Sequence, residues 1–362
     1  MDFDITKHTI FLTLTGSRVY GTSTPESDYD YRGVAIPPKR YFFGCSSRFN
    51  QAEMPEDDSV VYDIRKFLSL AIDNNPNIIE LLYIPTKFWR TSTYYWDDLV
   101  GARKLFLSQK AYHTFRGYAT SQLKRIQTHR GWLLQGDLKR PERVDFGLAK
   151  RPGNDVSGGL AMVVARVESF NVEPALAEVS RHVGKAAAKE IRQDIWRFLE
   201  HTLSMSRSDI EDTVWLNTAK SIGMDDNLVD LLQREKAYNS ALRNYKSWLR
   251  WKVERNPKRR ELEAKVGYDA KHAMHLARLL LMCEYILTDH KVVVELPEVD
   301  FLIKIRSCNV PYEDLMSWVE IQNTKIDAAK KQSTLRNSPD RKAIEQLGID
   351  LVENYLRDAV KG

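Results

Sequence analysis

Asp28 and Asp30 stand one position apart in the stretch TGSRVYGTSTPESDYDYRGV, residues 15–34. On an extended backbone alternate side chains leave the same face, so two such carboxylates converge and repel. A divalent cation relieves that repulsion, and hard oxygen ligands select Mg²⁺ or Mn²⁺. The competing reading is a solvated turn, where Asp is common. Gly16 and Ser17 precede the pair. Glycine lets the backbone approach a phosphate, the serine adds a hydroxyl, and successive N–H groups at such a turn cradle an anion. Arg18 adds a forked donor for phosphate or is an ordinary surface arginine.

Two-metal phosphoryl or nucleotidyl transfer calls for a third carboxylate. Asp63 is the first candidate, because a carboxylate within the apolar run VVYDI is costly unless paired or metal-bound. Alternatively it caps a helix starting at IRKFL. Asp57 and Asp58 are rivals in a solvated loop setting.

A second cluster lies in GYDAKHAMHLARLL, residues 267–280. Lys271, His275 and Arg278 fall at i, i+4 and i+7, one helical face. Cations among Ala273, Met274, Leu276, Leu279 and Leu280 need an anion nearby. Lys271 and Arg278 are read as ligands of a triphosphate or substrate phosphate, with His275 as a polar contact. The alternative is an amphipathic helix whose wet face is basic. A zinc site from His272 and His275 is not expected, since no third ligand stands at a fitting spacing.

Two segments are basic and aromatic. Residues 112–151 hold nine Lys/Arg against three Asp/Glu, including Lys124 and Arg125, with Tyr112, Phe115, Tyr118 and Trp132 interspersed. Residues 243–260 hold eight Lys/Arg against one Glu, ending in Lys258, Arg259 and Arg260, with Tyr245, Trp248 and Trp251. Cations fit a phosphodiester backbone and aromatics stack unpaired bases. Solvated helices with inward aromatics are the competing reading.

The elements that must position these groups follow from pattern. TIFLTLTGS (9–17) reads as a strand and its turn, YDYRGVAI (29–36) as a second strand stopped by Pro37-Pro38, and SVVYDI (59–64) as a third. RKFLSLAIDNN has helical spacing, and NPNIIELLYIP is a helical turn or two opened by Pro76. From about residue 98 the chain is mostly helical, most clearly over 268–287. Residues 133–155 read as a loop or linker, KVVVEL (291–296) as a late strand, and the tail as an amphipathic helix with Ser338 or Asp340 as cap. The fold class is therefore α+β: a small mixed-sheet domain over 1–97, then a mostly helical region over 98–362.

The chain has 362 residues, enough for a sizeable core in one large or two ordinary domains. Hydrophobic residues make up 43% and charged residues 28%, as in globular proteins. No apolar run approaches a membrane span, and the polar start MDFDITKHT is unlike a signal peptide. Three scattered cysteines (Cys45, Cys283, Cys308) suit no disulfide framework, so a reducing cytoplasmic location is expected. A net charge of +5 makes local basic patches more informative than the total.

The Gly-Ser pair, the DYD pair ten residues on and a strand aspartate together resemble the catalytic signature of polymerase-β-like nucleotidyltransferases. GSRVYGTSTPESDYDYRGV resembles, more specifically, nucleotidyltransferases described as RNA-ligase-associated. So do YDIRKFLSLAIDNNPNIIELLY, GYATSQLKRI, KRPERVDFGL, GYDAKHAMHLARLL and VELPEVDFLIKIR, covering most of the chain outside about 154–235. The resemblance implies a palm-like sheet. It implies Gly16 and Ser17 on the phosphates of an incoming NTP such as ATP, Asp28 and Asp30 on the metals, and Asp63 near the attacking group. It further implies an RNA end as acceptor and a functional link to an RNA ligase. A protein or small-molecule hydroxyl as acceptor, or a non-catalytic nucleotide- or RNA-binding module, are the other readings.

Overall fold

The structure is a computed structural model and describes residues 3–45, 48–54, 58–148, 226–254, 263 and 266–361. The expected architecture is present: a small mixed five-stranded sheet, followed by a mostly helical region.

A single turn, α1 (Ile5–His8), capped by Asp4, leads into β1 (Thr9–Thr15). Then come β2 (Asp30–Ala35), the turn α2 (Arg40–Phe43), β3 (Gln51–Met54) and β4 (Ser59–Asp63). The sheet order is β3-β4-β2-β1-β5, with β5 at Trp89–Ser92. β1 pairs antiparallel with β2 and β5, and β3 with β4, but β2 and β4 run parallel. Short β3 and β5 form the edges.

β4 passes directly into α3 (Ile64–Ile72), which the Asp63 side chain caps by accepting from the Arg65 amide at 2.7 Å. α4 (Pro76–Ile79) starts with proline in its first turn, where the missing N–H costs nothing. α5 (Tyr94–Gly101) places Trp96 flat on Phe11 of β1, ring centroids 3.8 Å apart. Phe67 of α3 packs against the same indole, so sheet and helices share one apolar core.

Clustering of contacts divides the chain into two compact units, residues 1–134 with 257–362, and residues 135–256. The first unit holds the sheet, nearly all of α6 (Lys110–Gln135) and, among the described residues, four later helices. These are α8 (Ala270–Asp289), α9 (Val299–Arg306), α10 (Tyr312–Gln332) and α11 (Arg341–Lys361). In the second unit, α7 (Asp226–Glu254) is the long described helix, and Arg234 bonds there to the Gly147 carbonyl.

α8 is buried on most sides, which its near-continuous apolar sequence requires. Asp269 caps its start, and His290 closes it in the left-handed region at φ 52°. Asp340, one of the two caps expected for the tail helix, accepts from the Ala343 amide at 3.2 Å.

KVVVEL is not a strand. Val292, Val294 and Leu296 do alternate into the core. Alternation produces burial on one face, but a strand also needs a neighbouring backbone, and no strand of the sheet pairs with this segment. Conversely, β3 and β5 are only four residues each and carry too little pattern to be read in advance.

Candidate active site

The end of β1 and the start of β2 are in register at Thr15 and Asp30. The Thr15 hydroxyl donates to the Asp30 carbonyl at 3.1 Å. Gly16 then turns the chain with φ +74°, and a Cβ built there would lie 2.6 Å from Asp30 Oδ2. Both the backbone angle and the space demand glycine. The Gly16–Arg18 turn is closed by Val19 and Tyr20 amides donating to the Gly16 carbonyl.

Arg18 differs from its expected phosphate role. Its Nη2 donates to the Ser27 carbonyl at 2.6 Å and its Nε to the Asp28 carbonyl at 3.3 Å. The guanidinium also lies 3.7 Å from the centre of the Tyr29 ring. Arg18 therefore holds the backbone that presents Asp28. Arg306 of α9 braces the same loop, donating to the Thr22 carbonyl and, at 3.2 Å, to Ser27 Oγ.

β2 begins only at Asp30, so Asp28 enters from the loop, exposed, while Asp30 is half-buried. The third nearby carboxylate is Asp58. Parallel pairing sets Tyr31 beside Ser59, and the Tyr31 amide donates to the Asp58 carbonyl at 3.2 Å. Burial raises the Asp30 pKa; the charge of Asp58, a side-chain hydrogen bond with it, and the charge of Asp28 raise it further. Asp28, Asp30 and Asp58 thus form one like-charged cluster beside the Gly16 turn.

Asp63 is not brought to it. Its register partner is Ala35, five residues along β2 from Asp30, roughly 16 Å at strand rise. Both its oxygens are held by Arg65, Nε to Oδ1 at 2.9 Å and Nη2 to Oδ2 at 2.7 Å. The helix cap, not a metal, accounts for its burial. Asp58 was obscured in sequence because a one-strand shift in position depends on β4 running parallel to β2, which no local pattern reveals. Asp57 lies outside the described residues.

On α8 the basic stripe grades from solvent to core. Lys271 is exposed, His275 partly buried and Arg278 fully buried. Arg278 does not reach for a phosphate: its Nη1 meets Glu80 Oε2 at 2.8 Å, and it stacks 4.0 Å over the Tyr20 ring. The Tyr20 hydroxyl donates to the other Glu80 oxygen at 2.7 Å. The anion that the sequence demanded is an internal glutamate. Burial lowers the His275 pKa to about 3, aided by the charges of Arg278, Lys271, His272 and Arg306. At neutral pH it is a neutral imidazole among cations.

Lys124 and Arg125 are exposed on α6. Phe115 and Trp132 of the same helix are buried and Tyr112 bonds to Asp327, so these aromatics serve packing rather than base stacking. Tyr118 is the exposed exception, its hydroxyl accepting from Asn75. In the second segment Trp248 is buried. Lys258, Arg259 and Arg260 lie outside the described residues.

The glycine turn between β1 and β2, with Asp28, Asp30 and Asp58 beside it, lies within the segment that the comparisons match. Residues 4–138 match the model of the RNA repair pathway DNA polymerase beta family, RlaP, a match that supports a likeness to polymerase-β-like nucleotidyltransferases. The chain is also similar to an uncharacterized 38.9 kDa protein in the nrdC-mobD intergenic region of Enterobacteria phage T4, 29% identical over 87 residues. It is 30% identical over 76 residues to the uncharacterized protein YcgL of Bacillus subtilis (strain 168). These matches cover 21% and 20% of this chain, and only 26% and 29% of the relatives. No solved structure matches. Among the described residues no helix is long and apolar enough to cross a membrane.

Proposed function

We propose that the protein transfers an NMP from an NTP to an acceptor hydroxyl, with an RNA end as the acceptor. The observation that carries this reading is the cluster of Asp28, Asp30 and Asp58 beside the glycine turn at Gly16-Ser17. Asp28 and Asp58 put negative charge beside Asp30 and oppose its ionisation, and the three carboxylates offer an all-oxygen donor set of the kind that Mg²⁺ or Mn²⁺ takes. Bound there, divalent ions supply charge stabilisation of the transferring phosphoryl group.

In this reading Asp58 replaces Asp63 as the third ligand. The Gly16-Ser17 turn receives the triphosphate, and its close approach to Asp30 sets the distance between phosphate and metal ligands. Lys271 adds a solvent-facing cation for the outer phosphates, and neutral His275 a hydrogen-bonding contact. Arg18 and Arg306 act on the nucleotide through the loop they brace. Residues 1–97 would carry the chemistry and the helical remainder the substrate contacts. RNA repair in the matched family's description and the exposed Lys124 and Arg125 support an RNA acceptor.

A second acceptor class, a protein or small-molecule hydroxyl, is favoured by one observation: the aromatics of α6 largely face the core and leave few stacking platforms. Incubating the protein with each α-labelled NTP, Mg²⁺, and either total RNA or total protein decides between them. Label in RNA supports the proposal. Label in protein or small molecules transfers it to the second class, and no label in any fraction refutes transfer.

A further inference from the structure

We propose that His129, Asp269 and His272 form a second metal site, selective for a zinc-like divalent ion and independent of the carboxylates on the sheet. The ligands come from two elements of the same compact unit: His129 from α6, Asp269 from the cap of α8 and His272 from its first turn. Their ligand atoms lie within 4.8 Å of one another. His129 Nδ1 is 3.5 Å and His272 Nε2 3.6 Å from the same oxygen, Asp269 Oδ2. Ligands held about 2.1 Å from a tetrahedral ion stand roughly 3.4 Å apart, so these edges already match zinc coordination.

The surroundings prepare each donor. Asp269 divides its oxygens: Oδ1 accepts from the His272 amide at 3.1 Å as the helix cap, which leaves Oδ2 for the centre. His272 Nδ1 is 2.7 Å from Gln122 Oε1. With Nδ1 donating to this amide oxygen, the neutral imidazole has its Nε2 lone pair available on the side of Oδ2. That is the outer-shell arrangement of metal-bound histidine. A metal ion held between Nε2 and Oδ2, 3.6 Å apart, would use both lone pairs.

Two imidazoles and one carboxylate suit zinc, cobalt or nickel and not Mg²⁺. Side chains 14–22% exposed leave a fourth position for water. The pattern was missed in sequence because His129 lies far along the chain from the helix that carries the other two.

Cobalt alone is the probe. Full-length protein carrying Asp28→Asn, Asp30→Asn and Asp58→Asn is stripped with chelator and titrated with Co²⁺ in the absence of Mg²⁺. The proposal expects intense tetrahedral bands in the visible that saturate at one ion per chain and disappear on adding Zn²⁺. Adding Asp269→Asn, which keeps a capping acceptor, should abolish them. Gln122→Leu should weaken Zn²⁺ binding about 10–100-fold. Pale octahedral absorption alone, or bands that survive Asp269→Asn, overturns the site. If Asp269→Asn fails to fold by circular dichroism, His129→Gln decides: lost bands in a folded protein support the site, and retained bands overturn it.

Discussion

Gly16 and Asp30 are so close that a single added methyl group on the glycine would meet a carboxylate oxygen at 2.6 Å. This contact ties the anion cradle to the metal ligands. Gly16→Ala must therefore shift Asp30 as well as strain a positive φ. A misplacement near 1 Å costs about a hundredfold in rate, and that loss is expected in labelled-NMP transfer. A folded Gly16→Ala protein with wild-type turnover would show that the turn is not part of the site.

Asp58 and Asp63 separate two roles. Asp58→Asn should abolish transfer and leave the melting temperature nearly unchanged, because the side chain is exposed. Asp63→Asn should lower stability by roughly 1–3 kcal/mol, the range for a lost charged hydrogen bond and cap. Its folded fraction should keep turnover within about tenfold. The reverse pattern, measured by transfer assay beside thermal melting, would return the third-ligand role to Asp63.

The Glu80–Arg278 pair sits at 3–4% side-chain exposure. Breaking such a pair from one side leaves a buried charge alone and costs about 3–5 kcal/mol. Arg278→Met should show that loss in urea denaturation, and NTP affinity of the folded protein should be unchanged. A selective loss of nucleotide affinity without destabilisation would identify Arg278 as a phosphate ligand after all.

His275 predicts an acid limb. Its folded pKa, about 3, lies below the unfolded value of 6.5, so the unfolded state binds the extra proton between those values. Stability is complete above pH 6.5 and falls as pH drops toward 3, by at most about 1.4 kcal/mol per pH unit. His275→Gln should flatten that limb in denaturation curves recorded across this range. An unaltered slope would mean that burial, with the charges of Arg278, Lys271, His272 and Arg306, does not keep the imidazole neutral.

If α6 tracks a nucleic-acid backbone, single-stranded RNA affinity should fall with salt, by a log–log slope of about 0.7 for each neutralised phosphate. Replacing Lys124 and Arg125 with Ala should reduce the slope and spare NTP binding. Undetectable RNA binding at low salt, or an unchanged slope, would favour the protein or small-molecule acceptor.

Much of the sheet was legible because β1, β2 and β4 each carry a run of β-branched and apolar residues bounded by turn chemistry. Gly16, Asp28 and Asp30 were legible for the same reason: their relation is local, one turn and one pair of antiparallel strands. The proposed site takes Asp58 where the sequence favours Asp63, because strand direction decides which end of β4 adjoins Asp30, and direction is a tertiary fact. Arg278 on an apolar face calls for an anion, for which the sequence suggests a phosphate; local spacing could not offer Glu80, 198 positions earlier. KVVVEL shows the complementary failure, a period-2 pattern whose backbone pairs with no strand of the sheet.

The clamp on the Asp28 loop joins residues 284 positions apart, Thr22 and Arg306. On the ribosome the N-terminal strands leave the exit tunnel long before α9 exists. The sheet can pair early, while the loop acquires its brace from Arg306 only after α9 has emerged. Assembly order thus delays the finished loop until that helix is made. A chain stopped before Arg306 should show faster amide exchange across 22–28 than the full protein, and equal protection in both would remove this timing.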